Sequence, residues 1–100
     1  MPAIAPTVAN ATEFAGAYKV LVVTATLTSN DDSITLVAAT HGIRTIAKVD
    51  AQITLGMDAN CQTVWTTFAG LVIRLRSLNA AGAAAVIGGD ETVSLLILGY

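Results

Sequence analysis

From residue 17 onward the chain alternates between two sets of side chains with a period of two, and short turn signals interrupt the alternation at roughly ten-residue intervals. In residues 17–28 one set is Lys19, Leu21, Val23, Ala25 and Leu27, and the other is Tyr18, Val20, Val22, Thr24, Thr26 and Thr28. Successive side chains of a strand point to opposite faces, so this spacing aims one set at a core. Val and Thr branch at Cβ, which stiffens χ1 and suits a pleated surface better than a helix. Ser29, Asn30, Asp31, Asp32 and Ser33 then read as a turn, because such side chains hydrogen-bond turn backbone.

Residues 34–40 predict a second strand, ended by His41 and Gly42. Residues 43–55 alternate most regularly. Ile43, Ala47, Val49, Ala51, Ile53 and Leu55 share one face, and Arg44, Lys48, Asp50, Gln52 and Thr54 share a wet one. After a loop at 56–60, residues 61–68 set Val64 and Phe68 against Thr63, Trp65 and Thr67. Residues 71–78 set Leu71, Ile73 and Leu75 against Val72, Arg74 and Arg76. A stretch of small residues at 79–90 leads into the closing strand, where Val93, Leu95 and Ile97 alternate with Thr92, Ser94, Leu96 and Leu98. Past Ser94 that strand is apolar on both faces. It belongs in the middle of a sandwich or at a subunit interface, since an exposed edge of this kind invites aggregation.

These six to seven strands predict an all-β, single-domain antiparallel β-sandwich or small barrel over residues 17–100. Residues 1–16 read as an extended N-terminal arm, because Pro2 and Pro6 oppose regular pairing. The Ala-rich segment at 80–87 is the one helix candidate, and its shortness and flanking glycines limit it to a turn.

A chain of 100 residues makes one domain, and a domain of that size buries only a modest share of its surface. Small domains compensate with disulfides, metals or oligomerisation. Cys61 is the only cysteine and cannot form an intramolecular bridge, and His41 is the only histidine. Oligomerisation is left. Charged residues are 12% of the chain, against about 25% in an average domain. Much of the surface is therefore Thr, Ala, Ser, Asn or Gln, which loses little solvation when a partner covers it.

Net charge is −2, with no basic run beyond Arg74 and Arg76, so no nucleic acid is expected as a partner. The first residues lack a positive region followed by an apolar run, which leads us to expect synthesis in a cytoplasm. The longest strongly apolar runs, 20–23 and 95–98, fall far short of the roughly 20 residues of a membrane helix, so no membrane is expected either.

Catalytic equipment is sparse. Cys61 and His41 share no motif, and a buried structural thiol explains Cys61. Asp31 with Asp32 and Asp90 with Glu91 read as turn residues, since neighbours in sequence do not face each other across a substrate. Asn30, Asp31 and Asp32 supply oxygen ligands without the spacing of a calcium loop. Gly88, Gly89 and Asp90 lack the lysine and helix of a phosphate-binding loop. The reading is a non-enzyme with no cofactor and no metal. Candidate interface residues are Trp65, an aromatic anchor; Arg74 and Arg76, which share a strand face; and Leu96, Leu98 and Tyr100 in the two-sided closing segment. Cross-strand ion pairs are the plain expectation for Arg74, Arg76, Arg44, Lys48 and Asp50.

The arm at 1–16, the Ala/Thr-rich strand at 20–28, the low charge and the closing residues 91–100 together resemble the small structural proteins of tailed-bacteriophage virions, of the capsid decoration (cement) type. The likeness is one of composition and layout, and no motif carries residue roles across. It implies a β-sandwich or related fold, a homo-oligomer with a trimer favoured, a major capsid protein or other virion component as partner, and residence on the virion after synthesis in the host cytoplasm. The alternative is a carbohydrate- or ligand-binding β-sandwich module using Trp65, Tyr18 and Tyr100 as its aromatics.

Overall fold

The structure, a computed structural model, describes residues 3–5, 7–8, 13–15 and 18–100, and in 7–8 and 13–15 the backbone alone. Two antiparallel sheets face each other. In the larger sheet, β3 (Tyr18–Thr26) pairs with β8 (Thr92–Gly99), from Lys19 opposite Gly99 to Thr26 opposite Thr92. The other edge of β8 pairs with β5 (Ile46–Leu55). The short strands β1 (Thr7–Val8) and β2 (Glu13–Ala15) line the far edge of β3. The smaller sheet runs β4 (Asp31–Thr35), β7 (Val72–Leu78), β6 (Thr63–Ala69).

The expected all-β sandwich is therefore what the chain forms, and the period-two sets explain its core. Leu21, Val23, Leu27, Val93, Leu95 and Ile97 face inward from the larger sheet, and Ile34, Ile73 and Leu75 from the smaller, each at most 1% exposed. Burying a side chain of this size contributes about 1.5–3 kcal/mol. Leu36, Ile43 and Cys61 join the same cluster from the connections. The closing strand is a central strand: its odd-numbered residues are core and its even-numbered ones face out.

Three expectations are corrected. The second strand occupies Asp31–Thr35 rather than 34–40, so Asp31 and Asp32 belong to a strand and not to a turn. The cause is the buried Asp32 carboxylate. It accepts from the Thr28 amide at 3.0 Å, the Thr28 hydroxyl at 2.7 Å, the Ser29 amide at 3.2 Å and the Ser29 hydroxyl at 3.1 Å. That network closes the turn at once and lets Asp31 meet Arg76 of β7. The helical turn falls at α1 (Ala38–His41) rather than within 80–87. His41 Nδ1 accepts the Val37 amide at 2.8 Å, and Gly42, at φ 79°, donates its N–H back to the Ala38 carbonyl. Finally, a register shift between Ile46 and Lys48 breaks the alternation of β5. Ile46 and Val49 are both buried while Ala47 and Lys48 between them are both exposed, so Ala47 leaves the core set. Ile43 is buried but lies in the connection before the strand, and Leu55, after a second shift, stands in solvent.

The described parts of residues 1–16 are tied to the chain's own body. Ile4 is buried, and its amide donates to the Ser33 carbonyl at 2.8 Å, while Ala3 bridges Ser33 in parallel. Pro2 and Pro6 lie outside the described residues.

Entry into β8 is set by Glu91, 2% exposed. Its carboxylate accepts the amides of Gly88, at 2.8 Å, and of Gly89 and Asp90, at 2.9 and 3.0 Å. Its backbone carbonyl receives the Leu27 amide at 2.9 Å. Gly56, at φ 79°, packs where a Cβ would come within 3.0 Å of the Glu91 Cα, so the loop after β5 closes directly onto this turn. The Gly88 amide holds the Glu91 carboxyl below its ordinary 4.5, against the opposing effect of burial. A depressed carboxyl stabilises the fold above its unfolded value and loses that contribution as pH falls through the folded one. Glu91→Gln is thus expected to cost about 1–3 kcal/mol at neutral pH by unpairing buried donors. It should also flatten the loss of stability below pH 4.5, read from urea midpoints across the acid range.

Candidate interaction surfaces

Strand polarity decides which of the candidate residues share a surface. On β3 the core-facing residues are odd-numbered, so Tyr18, Val20, Val22 and Thr24 point out of the sandwich. β8 follows the same parity, and the pairing sets Val20 beside Leu98, Val22 beside Leu96 and Thr24 beside Ser94. These three cross-strand pairs carry no charge. Leu96 is 47% exposed, and Val20, Val22 and Leu98 are half-buried. At one end Tyr18 and Tyr100 meet edge to face, with ring centroids 5.8 Å apart. On β5 the neighbours are Lys48 beside Leu98, Asp50 beside Leu96 and Gln52 beside Ser94. Lys48 and Asp50 pair with each other at 3.5 Å along the strand, so the charges at this margin are satisfied locally. Lys19 falls on the core-facing parity, but its ammonium reaches the Gly42 carbonyl at 3.0 Å.

The other candidates lie on the opposite layer. Trp65, Arg74 and Arg76 face outward from the smaller sheet, with Trp65 beside Arg76 and Thr67 beside Arg74 in the β6–β7 pairing. Trp65 is 67% exposed, so it is a surface residue and not core. Arg74 grips Asp31 with two parallel bonds, Nε to Oδ1 at 2.8 Å and Nη2 to Oδ2 at 2.7 Å. This is a cross-strand ion pair, with Asp31 in place of the expected Asp50, set two residues off the register that puts Asp31 opposite Arg76. The guanidinium holds the Asp31 carboxyl below its usual range, and Asp31 in turn raises Arg74. Arg44 is exposed in the connection ahead of β5, and its amide donates to the Tyr100 carbonyl. The structure thus divides the six interface candidates evenly between two outer faces. It also separates Trp65 from Tyr18 and Tyr100, which do not form a common aromatic platform.

The residues considered for chemistry are built into the scaffold. Cys61 is fully buried. Its amide donates to Asp58 Oδ1 at 3.1 Å, and burial pushes its thiol up, reinforced by the charges of Glu91 and Asp58. Asp31 is held by Arg74, and Asp32 by Thr28 and Ser29, which occupies the oxygens a calcium ion would need. Among the described residues no group of three or more His, Cys, Asp or Glu could hold a metal. Among the described residues, no helix is long and apolar enough to cross a membrane.

Sequence reasoning missed Val20 and Val22 as surface residues. Their signal was the unbroken apolar run 20–23, the counterpart on β3 of the run 95–98 on β8. Phe68 and Val72 were also missed. Phe68 is 41% exposed because β6 closes one margin of its sheet and the core ends there. No family model matches this chain, and neither a curated protein nor a solved structure matches it significantly.

If Trp65 belongs to the surface, Trp65→Ser should shift stability by no more than about 0.5 kcal/mol. Leu95→Ala, in the core, should cost about 2–5 kcal/mol. Urea unfolding of the two variants compares them directly.

Proposed function

We propose that this chain is a non-enzymatic structural subunit that works by assembling with copies of itself and with a larger shell, as a capsid decoration (cement) protein of a virus particle. The observation that carries the reading is the outer face of the larger sheet. Its two central strands, β3 and β8, meet there through Val20 with Leu98 and Val22 with Leu96, and Thr24 with Ser94 continues the row uncharged. Apolar side chains paired in this way lose contact with water when a partner covers them, at about 25 cal/mol per Å² of apolar surface. A margin whose charges already pair, as Lys48 and Asp50 do, adds little desolvation cost.

A protein that binds only the assembled shell stabilises that state by mass action. Many copies on one particle then add weak contacts together. The composition and layout shared with tailed-phage decoration proteins make a major capsid protein or another virion component the shell partner. They make a trimer the expected oligomer and the virion the site of action.

The test is mass in solution by light scattering, on the full chain and on Leu96→Asp. The full chain is expected as a trimer or larger. Leu96→Asp places a second carboxylate beside Asp50 and should shift the population to monomer while the circular dichroism spectrum stays that of a β-protein. A full chain that remains monomeric to its solubility limit would refute the reading.

A further inference from the structure

Trp65 is 67% exposed, and the surface beside it is concave. Where β5 of the larger sheet packs along β6 of the smaller, an open cleft of about 490 Å³ lies against the indole. Small-molecule sites fall at about 300–1,000 Å³. Ile53 and Val64, half-buried against the core, form part of its wall. Gln52 of β5, with Gln62 and Thr63 where β6 begins, supplies its polar groups, and Met57 lines it from the loop after β5.

The scaffold holds these walls in place. The Thr66 hydroxyl donates to the Val49 carbonyl at 3.2 Å and so clips β6 to β5. The Gln62 amide donates to the Leu78 carbonyl at 2.8 Å. Between Met57 and Gln62 the chain turns on Asp58, whose carboxylate accepts the Asn60 and Cys61 amides at 2.8 and 3.1 Å. A site on fixed backbone loses little conformational freedom when it is filled.

Two properties of the lining select the ligand. No charged residue lines the cleft. Among the described residues, the side-chain polar groups of Gln52, Gln62, Thr63 and Trp65 make no hydrogen bond within the protein. A glutamine amide offers donors and an acceptor together, and a threonine hydroxyl is both at once. The complement is a neutral molecule with hydroxyls at its rim and one apolar face to lay on the indole. A pyranose ring has that form, and the electron-rich face of an indole suits its C–H groups. A phosphate or carboxylate would find no cation there. Arg76 belongs to a separate, smaller depression of about 220 Å³ that it shares with Trp65 and Leu78.

We propose that the cleft between β5 and β6 binds a neutral oligosaccharide, with one pyranose stacked on Trp65 and its hydroxyls bonded to Gln52 and Gln62. The proposal does not rest on the assembly reading. The cleft is distinct from the row of Val20, Val22, Leu96 and Leu98, and light scattering does not test it.

Trp65 is the only tryptophan of the chain, so its fluorescence reports on this cleft directly. The probes are cellohexaose, maltohexaose and mannohexaose, titrated into the full chain. At least one should shift the emission saturably, with a Kd of about 1 mM or below. Added salt should leave that Kd unchanged, because no charge takes part. By calorimetry, Trp65→Ala should abolish binding. Gln52→Ala and Gln62→Ala should each weaken it about three- to tenfold, the worth of one hydrogen bond. The circular dichroism of all three should stay that of the parent, since none of these side chains bonds within the protein. No saturable shift with any of the three sugars at ten times that concentration would overturn the proposal. Binding that survives both glutamine changes would do the same. So would binding that weakens with salt and disappears in Arg76→Gln, which moves the ligand to the smaller depression. Emission that answers a proline-rich peptide and no sugar would also overturn it, since aromatic grooves take such segments as well.

Discussion

The pairing of β8 along both of its edges is the interaction on which the rest of the molecule depends. β3 and β5 are far apart in sequence and meet only through this last strand. Val93, Leu95 and Ile97 supply the middle of the core from it, and all three are fully buried. A strand bonded on two sides and packed on one face has its backbone satisfied internally, which suits the low charge of its outer face. The Glu91 carboxylate, bound to three successive amides, fixes where this strand begins. The Leu27 amide on the Glu91 carbonyl ties that start to the end of β3.

The same arrangement decides which surfaces the molecule presents. Because β8 is central, its outward residues Leu96 and Leu98 stand in the middle of a face and not at its rim. Val20 and Val22 on β3 extend them sideways. The smaller sheet presents a different kind of surface, with an uncharged edge strand beside two arginines, one of them bound to Asp31.

Much of the core was legible because period two is a local property. Leu21 and Val23 on β3, Leu27 just past its end, Ile73 and Leu75 on β7, and Val93, Leu95 and Ile97 on β8 all follow from alternation alone. The errors fell where a side chain overruled the local pattern. Asp32 looked like a turn residue, yet its buried carboxylate made the turn so short that the strand began at Asp31. Ala47 looked like core, yet the shift between Ile46 and Lys48 turned it outward. His41 accepted the Val37 amide and closed a helical turn that no periodicity announces in four residues.

Sequence by itself determined the class of fold, the inward set on each regular strand and the shortage of charge, because each is written in the spacing and type of neighbouring residues. Tertiary structure alone decided which strands became neighbours, and with that which surfaces exist. Trp65 and Tyr100 were equal candidates for one interface until the sandwich put them on opposite layers. Pairing partners are chosen by packing between residues distant in the chain, and no local pattern encodes which strand will be left at the margin.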